Sequence, residues 1–187
     1  MNVALFASGT GSNVKNIIDY FKKNKKINIV LVVSNNSSAG ALVHAKDNDI
    51  DQLVINKSTL NESLKVIDLL HARDIKLVVL AGFLLKFPEK IIKNYKGDII
   101  NLHPSLLPKF GGKGMYGKNV HEAVLSSKES KTGITIHYVN EYYDQGAIID
   151  QFEVQLSNKD TIESVVSKIK ELELLHFPGT IEKLLKK

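Results

Sequence analysis

The 187-residue sequence predicts an α/β protein built on a Rossmann-like open twisted sheet, mostly parallel, with helices on both faces. Through the first hundred residues, short apolar runs alternate with segments whose apolar residues have helical spacing. Uninterrupted apolar strands are typical of a parallel sheet covered on both faces. After Gly117 the pattern changes to two longer runs joined by a tight connection, which predicts an antiparallel C-terminal hairpin.

The predicted strands are apolar runs bounded by glycine, serine or other polar residues. The first run, for example, ends at Ser8-Gly9. The parallel strands are predicted at residues 3–7, 29–33, 52–55, 76–80 and 98–101, and the hairpin strands at 132–139 and 147–154.

The predicted helices carry apolar residues at intervals of three and four, as at positions 14, 17, 18 and 21 of the first helix, 12–21. Others are predicted at 39–47 and 119–126. A helix carrying Leu64, Ile67 and Leu70 is expected to be capped by Thr59 or Asn61. A last helix at 161–176 is expected to resume after Pro178-Gly179. With no repeat or linker in the chain, we expect one domain over 1–187.

Composition excludes several classes of function. The absence of cysteine excludes a disulfide scaffold, a thiolate metal site and a cysteine nucleophile. No apolar run approaches the roughly 20 residues that cross a bilayer, and no secretory leader is evident, so a cytoplasmic protein without a membrane partner is expected. The net charge of +5 is carried by scattered lysines, and Arg73 is the only arginine. Nucleic-acid readers usually rely on arginine forks, so no nucleic-acid partner is expected.

The segment Ala7-Ser8-Gly9-Thr10-Gly11-Ser12-Asn13 joins the first strand to the first helix. Glycines there let backbone N–H groups converge on an anion at the positive end of the helix. Ser12 and Asn13 suit the helix cap and could hydrogen-bond a phosphate or a sugar. Without a P-loop lysine or the third glycine of a dinucleotide fingerprint, the loop favours a monophosphate over ATP or NAD. A glycine-rich turn without a ligand is the alternative.

The segment from Asn101 to Pro108 reads Asn-Leu-His-Pro-Ser-Leu-Leu-Pro and leaves a strand at its carboxyl end, where ligands bind in open α/β sheets. Alternation places Asn101 and His103 on the same side of the chain. Asparagine can donate to a developing oxyanion, and histidine can move a proton near neutral pH. Asp144, in the tight turn before Gln145-Gly146, is the best acidic partner. A buried histidine in a proline-rich turn, and an aspartate serving turn chemistry alone, are the alternatives.

Together these segments resemble the phosphoribosylglycinamide formyltransferases of purine synthesis, a branch of the folate-dependent formyltransferases. The resemblance rests on the glycine-rich loop, Val79-Leu80-Ala81-Gly82-Phe83, the segment around His103, Gly133 and His137, and Asp144-Gln145-Gly146, in the same order and spacing. It covers essentially the whole chain. It implies transfer of the formyl group of 10-formyltetrahydrofolate, the co-substrate, to the amine of glycinamide ribonucleotide, without a metal.

The resemblance also implies roles for individual residues. Asn101, His103 and Asp144 are expected to be catalytic. The substrate phosphate and ribose are expected at Gly11, Ser12, Asn13 and Glu173. The folate is expected at Phe83, Leu84, Leu85, Lys86, Phe87, Asn140, Glu141, Tyr142 and Tyr143. His121 and His137 match further family histidines. The phosphate-binding half is expected at about 1–100, the folate and catalytic half at about 101–187, and the protein as a monomer or homodimer.

The sequence departs from the family at three places. Family members commonly carry an arginine where this chain has Leu85, followed by Lys86, and another in the segment corresponding to 60–64. Contacts to the glutamate tail of the folate are therefore expected from lysines and backbone N–H groups. The glycine-rich 110–116 loop also differs, and is expected to act as a mobile lid.

Other functions fit the sequence less well. A methionyl-tRNA formyltransferase normally has a further C-terminal domain, and a formyltetrahydrofolate hydrolase usually has an added regulatory domain. A formyltransferase acting on another amine and a non-catalytic phosphate-binding module remain as alternatives. Neither Ser8 nor Ser105 lies in a Gly-x-Ser-x-Gly elbow, and the six histidines show no His-x-x-x-His pair, so a serine hydrolase and a metal site are not expected.

Overall fold

The structure is a computed structural model that describes residues 1–186. Within these residues the chain forms seven strands and seven helices. The strands are β1 (Asn2–Phe6), β2 (Asn28–Ser34), β3 (Asp51–Val54), β4 (Ile75–Leu80), β5 (Asp98–His103), β6 (Lys131–Tyr138) and β7 (Ile148–Gln155). The helices are α1 (Ser12–Phe21), α2 (Gly40–Lys46), α3 (Lys57–Asn61), α4 (Ser63–Ala72), α5 (Glu89–Asn94), α6 (Lys118–Ser126) and α7 (Ile162–Leu185).

All seven strands belong to one sheet in the order β3-β2-β1-β4-β5-β6-β7. Strands β1 to β5 pair in parallel, whereas β6 pairs antiparallel with both β5 and β7. This arrangement confirms the predicted fold class. The chain order reverses between β1 and β4, and in open α/β sheets the crevice beyond such a reversal is where ligands bind.

The sheet separates two apolar cores, because successive side chains of a strand point to opposite faces. In β1, Val3 and Leu5 pack with α1, α2 and α7 on one face. Ala4 and Phe6 pack with α4 and α5 on the other. Both faces of the parallel part of the sheet are therefore covered, as the continuous apolar strands predicted. Among residues 1–186 there is no helix that combines the length and the apolar character needed to cross a bilayer.

The prediction that the last helix is interrupted near Pro178 is wrong, since α7 continues from Ile162 to Leu185. A proline inside a helix leaves the carbonyl four residues earlier without its usual N–H donor. Here that carbonyl, on Leu174, accepts a hydrogen bond from Asn16 Nδ2 of α1 at 2.8 Å. Pro178 itself is buried, with Phe177 and Ile181 beside it. Tertiary contacts therefore allow the helix to continue beyond Pro178.

Two predictions about helix starts are also wrong. Asn56, rather than Thr59 or Asn61, caps the segment after β3, because its side chain accepts from Thr59 N–H at 2.8 Å at the start of α3. Helix α4 then begins separately at Ser63. Ser12 and Asn13 do not cap α1: the cap position is Gly11, and no side chain satisfies the first turn. The short helix α5 was not predicted, because Ile91 is its only buried residue and one buried residue shows no helical periodicity.

Candidate active site

A cavity of about 770 Å³ opens at the carboxyl ends of β1, β4 and β5, where the chain order of the sheet reverses. Six parts of the chain contribute to its wall: the loops after these three strands, the glycine-rich 112–117 loop, the connection between β6 and β7, and one side of α7. The predicted site residues that line it are Gly11, Ser12, Asn13, Phe83, Leu84, Leu85, Lys86, Phe87, Asn101, His103, Asn140, Tyr142, Tyr143, Asp144 and Glu173. Glu141 does not line the cavity.

At one end of the cavity the turn before α1 requires glycine at position 11. Gly11 has a φ of 77°, in the left-handed region that side chains rarely adopt. A Cβ atom there would lie 2.5 Å from Ala41 Cα, inside van der Waals contact. The backbone of this turn therefore packs closely against α2. With no side chain capping the helix, the first N–H groups of α1 remain available to an anion.

Asn13 and Glu173 bring the first and last helices together at the same end. Asn13 Nδ2 donates to Glu173 Oε2 at 2.8 Å across 160 residues of sequence. Burial raises the pKa of Glu173, while the Asn13 bond and the charge of Lys170 act in the opposite direction. Asn13 Oδ1 is buried and has no hydrogen-bond partner within residues 1–186. Buried polar atoms normally have partners, so this oxygen can accept a hydrogen bond from a polar group in the cavity.

At the middle of the cavity Asp144 is held in place by the glycine-rich loop. Its φ is 55°, a left-handed conformation that aspartate and asparagine tolerate better than most residues. Gly112 N–H donates to Asp144 Oδ2 at 2.8 Å. The same carboxylate lies near two imidazoles: Oδ2 is 3.6 Å from His103 Nδ1, and Oδ1 is 3.7 Å from His137 Nε2. Both distances exceed a hydrogen bond, so each contact is an ion pair only when the imidazole is protonated.

His103 is almost fully buried, with 3% of its surface exposed. Its Nε2 lies 2.8 Å from the carbonyl oxygen of Phe110. A carbonyl oxygen only accepts, so Nε2 must carry a proton and donate to it. The second nitrogen, Nδ1, faces Asp144 and is the one that can gain or release a proton in the cavity. The Phe110 carbonyl therefore makes Nε2 a hydrogen-bond donor and leaves Nδ1 on the side of Asp144.

His137 also lines the cavity, although the sequence predicted no role for it. It lies opposite Asn101 in the antiparallel register of β5 and β6, and Asn101 Nδ2 is 3.1 Å from His137 Nε2. His137 Nδ1 donates to the carbonyl oxygen of Tyr138 at 2.8 Å, which leaves Nε2 as the acceptor for Asn101. Burial lowers the pKa of His137, favouring this neutral form, against smaller raising effects of Tyr138 and Asp144. Pairing the predicted hairpin with the strand before it would have indicated this contact.

A third histidine, His121 of α6, also lines the cavity and is buried. Burial lowers its pKa, and the charge of His103 lowers it further. Its Nδ1 has no hydrogen-bond partner within residues 1–186. The sequence linked His121 to the family pattern without giving it a role.

At the other end of the cavity the wall is apolar and aromatic. Phe83 and Phe87 pack edge-on against Phe6 of β1, with ring centroids 5.4 and 5.3 Å from the Phe6 centroid. These contacts anchor the loop after β4 to the core of the sheet. Lys86 Nζ lies 5.3 Å from the centre of the Tyr143 ring, a cation–π contact that joins this loop to the turn carrying Asp144. A flat aromatic ligand with an anionic extension would fit such a wall.

The cavity therefore has the uncapped N-terminus of α1 at one end and an apolar wall at the other. Between them lie Asn101, His103, His137 and Asp144. Such an arrangement can hold two small molecules and transfer a group and protons at their junction. Among residues 1–186 there is no cluster of three histidine or acidic side chains suited to bind a metal.

Comparisons with known proteins identify the family of this chain. A family model described as formyl transferase matches residues 1–181. The chain is 33% identical over 185 residues to the phosphoribosylglycinamide formyltransferase of Haemophilus influenzae, a match that covers 96% of this chain and 85% of the relative. It is 37% identical over 173 residues to the chloroplastic enzyme of that name from Arabidopsis thaliana, covering 89% of this chain and 59% of the relative. The chain thus spans little more than half the length of such plant relatives.

Solved structures show the same fold. The crystal structure of phosphoribosylglycinamide formyltransferase from Bacillus halodurans superposes with a TM-score of 0.90 at 33% identity, covering 100% of this chain and 96% of that one. The corresponding structure from Anaplasma phagocytophilum gives a TM-score of 0.89 at 33% identity, with 99% and 86% covered. The chain belongs to the formyl transferase family, within the group of phosphoribosylglycinamide formyltransferases.

Proposed function

We propose that this formyltransferase moves the formyl group of 10-formyltetrahydrofolate to the amine of glycinamide ribonucleotide, a step of purine synthesis. The products are formylglycinamide ribonucleotide and tetrahydrofolate. The observation that carries the proposal is the meeting of Asn101, His103 and Asp144 in one cavity, which has the uncapped N-terminus of α1 at one end and an apolar wall at the other.

The phosphate of the amine substrate would bind the N–H groups of the turn at Gly11, Ser12 and Asn13, at the positive end of α1. Glu173 would accept hydrogen bonds from the ribose hydroxyls. Its contact with Asn13 places it beside the turn, and its raised pKa reflects a site in which water is scarce.

The folate would bind against the wall formed by Phe83, Leu84, Leu85, Lys86 and Phe87 on one side and Asn140, Tyr142 and Tyr143 on the other. With leucine at position 85, the anionic glutamate tail would meet the Lys86 ammonium beside Tyr143. Leu85 and Lys86 belong to the half at 1–100 and Glu173 to the half at 101–187, so each half contributes to both ends of the proposed site.

The reaction forms a C–N bond between the amine nitrogen and the formyl carbon and breaks the bond from that carbon to N10 of the folate. The amine attacks in its neutral form and loses one proton, and N10 receives one as it leaves. Between these events the formyl oxygen carries a negative charge on a tetrahedral carbon. The site must therefore stabilise an oxyanion and move a proton.

Asn101 would donate to the oxyanion with the amide N–H that His137 does not engage. His103 would contribute positive charge when both of its nitrogens are protonated, with Nε2–H on Phe110 and Nδ1–H facing Asp144. Asp144 would take the proton that the amine loses. Losing one oxyanion donor of this kind typically costs about 2.7–4 kcal/mol in the transition state.

A formyltetrahydrofolate hydrolase would use the same oxyanion chemistry with water as the acceptor, but it would need no phosphate site. Tetrahydrofolate release from 10-formyltetrahydrofolate, followed spectroscopically with and without glycinamide ribonucleotide, distinguishes the two. We expect release to depend on the ribonucleotide, and free glycinamide to be a poor replacement for it. Equal rates with and without the ribonucleotide would indicate a hydrolase. Binding of the ribonucleotide without any release would indicate a non-catalytic binding protein.

A further inference from the structure

Ser8 joins the turn before α1 to the loop after β4. It lies two residues after the buried end of β1, and β1 lies beside β4 in the sheet. Ser8 N–H donates to the carbonyl oxygen of Gly82 at 3.0 Å. In the other direction, the backbone N–H of Leu84 donates to Ser8 Oγ at 2.8 Å. One residue thus makes two hydrogen bonds to the 82–84 segment.

A further hydrogen bond, to Asn35, confirms that the Ser8 hydroxyl accepts from Leu84. The Ser8 hydroxyl donates its proton to Asn35 Oδ1 at the end of β2, so it can only accept from Leu84. Ser8 is 8% exposed, which means that little water is available to replace a lost partner. The hydroxyl therefore ties the segments that follow three neighbouring strands, β2, β1 and β4.

The 82–84 segment has few other restraints near its tip. Gly82 has a φ of 77°, and a Cβ atom built on it would meet nothing within 4 Å. The side chain of Leu84 is 59% exposed. The ring of Phe83, in the middle of the segment, packs against Phe6, while the hydrogen bonds to Ser8 hold the backbone of Gly82 and Leu84 on either side.

We propose that Ser8 is a positioning residue for the folate end of the site: its hydroxyl sets the position of the 82–84 backbone against which the folate binds. The inference rests on the proposed function and concerns a residue that contacts neither reacting centre. Without the hydroxyl, the Leu84 N–H loses its buried acceptor and the tip of the loop is free to move.

The effect is expected to be unequal between the two substrates. The turn that would bind the phosphate has restraints of its own: Gly11 packs on Ala41, and Ala41 N–H donates to the carbonyl oxygen of Gly9 at 3.3 Å. These contacts do not involve the Ser8 hydroxyl. Its removal should therefore weaken folate binding and spare binding of the ribonucleotide, whereas a general loss of structure would weaken both.

Isothermal titration calorimetry with tetrahydrofolate and, separately, with glycinamide ribonucleotide tests this inference. We expect Ser8→Ala to raise the Kd of tetrahydrofolate about tenfold, as expected for the loss of a buried hydrogen bond, and to leave the Kd of the ribonucleotide within about twofold. Ser8→Thr, which retains a hydroxyl, should restore much of the folate affinity.

Ser34→Ala is the matched control. Ser34 is also buried at the end of a strand, and its hydroxyl accepts a backbone N–H, that of Asn36, at 3.1 Å, but it makes no hydrogen bond to the 82–84 segment. It should lose comparable thermal stability with both Kd values unchanged. The inference would be overturned if Ser8→Ala raised both Kd values equally or raised neither. It would also be overturned if Ser8→Ala and Ser34→Ala changed the two Kd values in the same way. Wild-type protein that binds neither ligand would instead refute the proposed function, and this inference with it.

Discussion

Asn101 and His137 face each other across β5 and β6, and their side chains lie 3.1 Å apart inside the cavity. The Tyr138 carbonyl fixes the proton of His137 on Nδ1, so Nε2 accepts from the Asn101 amide. One histidine on a neighbouring strand thereby orients the side chain proposed to stabilise the oxyanion. The first prediction follows from this pair.

His137→Phe keeps an aromatic ring of similar size but removes the acceptor that orients Asn101. We expect kcat to fall by up to about a hundredfold, because a misplaced oxyanion donor loses most of its effect. Both KM values should change much less. His176→Phe is the control, because His176 stacks on Phe152 with ring centroids 3.8 Å apart and does not line the cavity. Unchanged turnover in His137→Phe would contradict the orienting role.

Asp144→Asn tests proton transfer with little disturbance of the backbone. The amide oxygen can still accept from Gly112 N–H, and asparagine tolerates the φ of 55°. We therefore expect a thermal midpoint close to that of the wild type and a fall in kcat of at least about a hundredfold, within the range for lost general acid–base catalysis. Asp150→Asn, on β7 and bonded to Thr180, should keep full activity. Near-normal turnover in Asp144→Asn would remove Asp144 from the mechanism.

Gly11→Val tests the phosphate-binding turn. Valine is strained at a φ of 77°, and its Cβ would lie 2.5 Å from Ala41 Cα, so the turn must move away from α2. Steady-state kinetics should show a larger rise in the KM of the ribonucleotide than in that of the folate. Gly179→Ala in α7, where a Cβ meets nothing within 4 Å, should leave both KM values unchanged. Equal effects of Gly11→Val on the two KM values would contradict the assignment of the turn.

Glu173→Gln tests the buried carboxyl at the same end through the pH dependence of stability. Burial raises the folded-state pKa of Glu173 above its ordinary value of 4.5. Between these two values the folded protein binds more protons than the unfolded chain, so the free energy of unfolding falls as pH rises. The wild type should therefore lose stability relative to Glu173→Gln across this window, which begins near pH 4.5.

Thermal midpoints of the two proteins, measured from pH 4 to pH 8, would show this difference. Glu171→Gln, at an exposed position of the same helix, should follow the wild type. Parallel curves for the wild type and Glu173→Gln would mean that the carboxyl is not desolvated as the structure indicates.

Much of the fold followed from local pattern. Continuous apolar runs gave the positions of the strands, since a strand buried on both faces needs apolar residues at every position, and the long late runs gave the antiparallel hairpin. The segments around Gly11, His103 and Asp144 were predicted from the sequence, because glycine turns, strand ends and tight connections can be recognised from a few neighbouring residues. Helix boundaries at Asn56 and Pro178 were not, because they depend on where individual side chains find partners.

By itself the sequence determined the fold class, the order of the strands along the chain and the segments that carry the polar residues of the site. Only the tertiary structure decided the contacts between them: Asn16 with the Leu174 carbonyl, Asn13 with Glu173, Asn101 with His137, and the separate tasks of the two nitrogens of His103. The reason is the range of the forces involved. Periodicity and turn chemistry act within a few residues, whereas a hydrogen bond between residues 160 positions apart exists only after α1 and α7 have packed together on one face of the sheet.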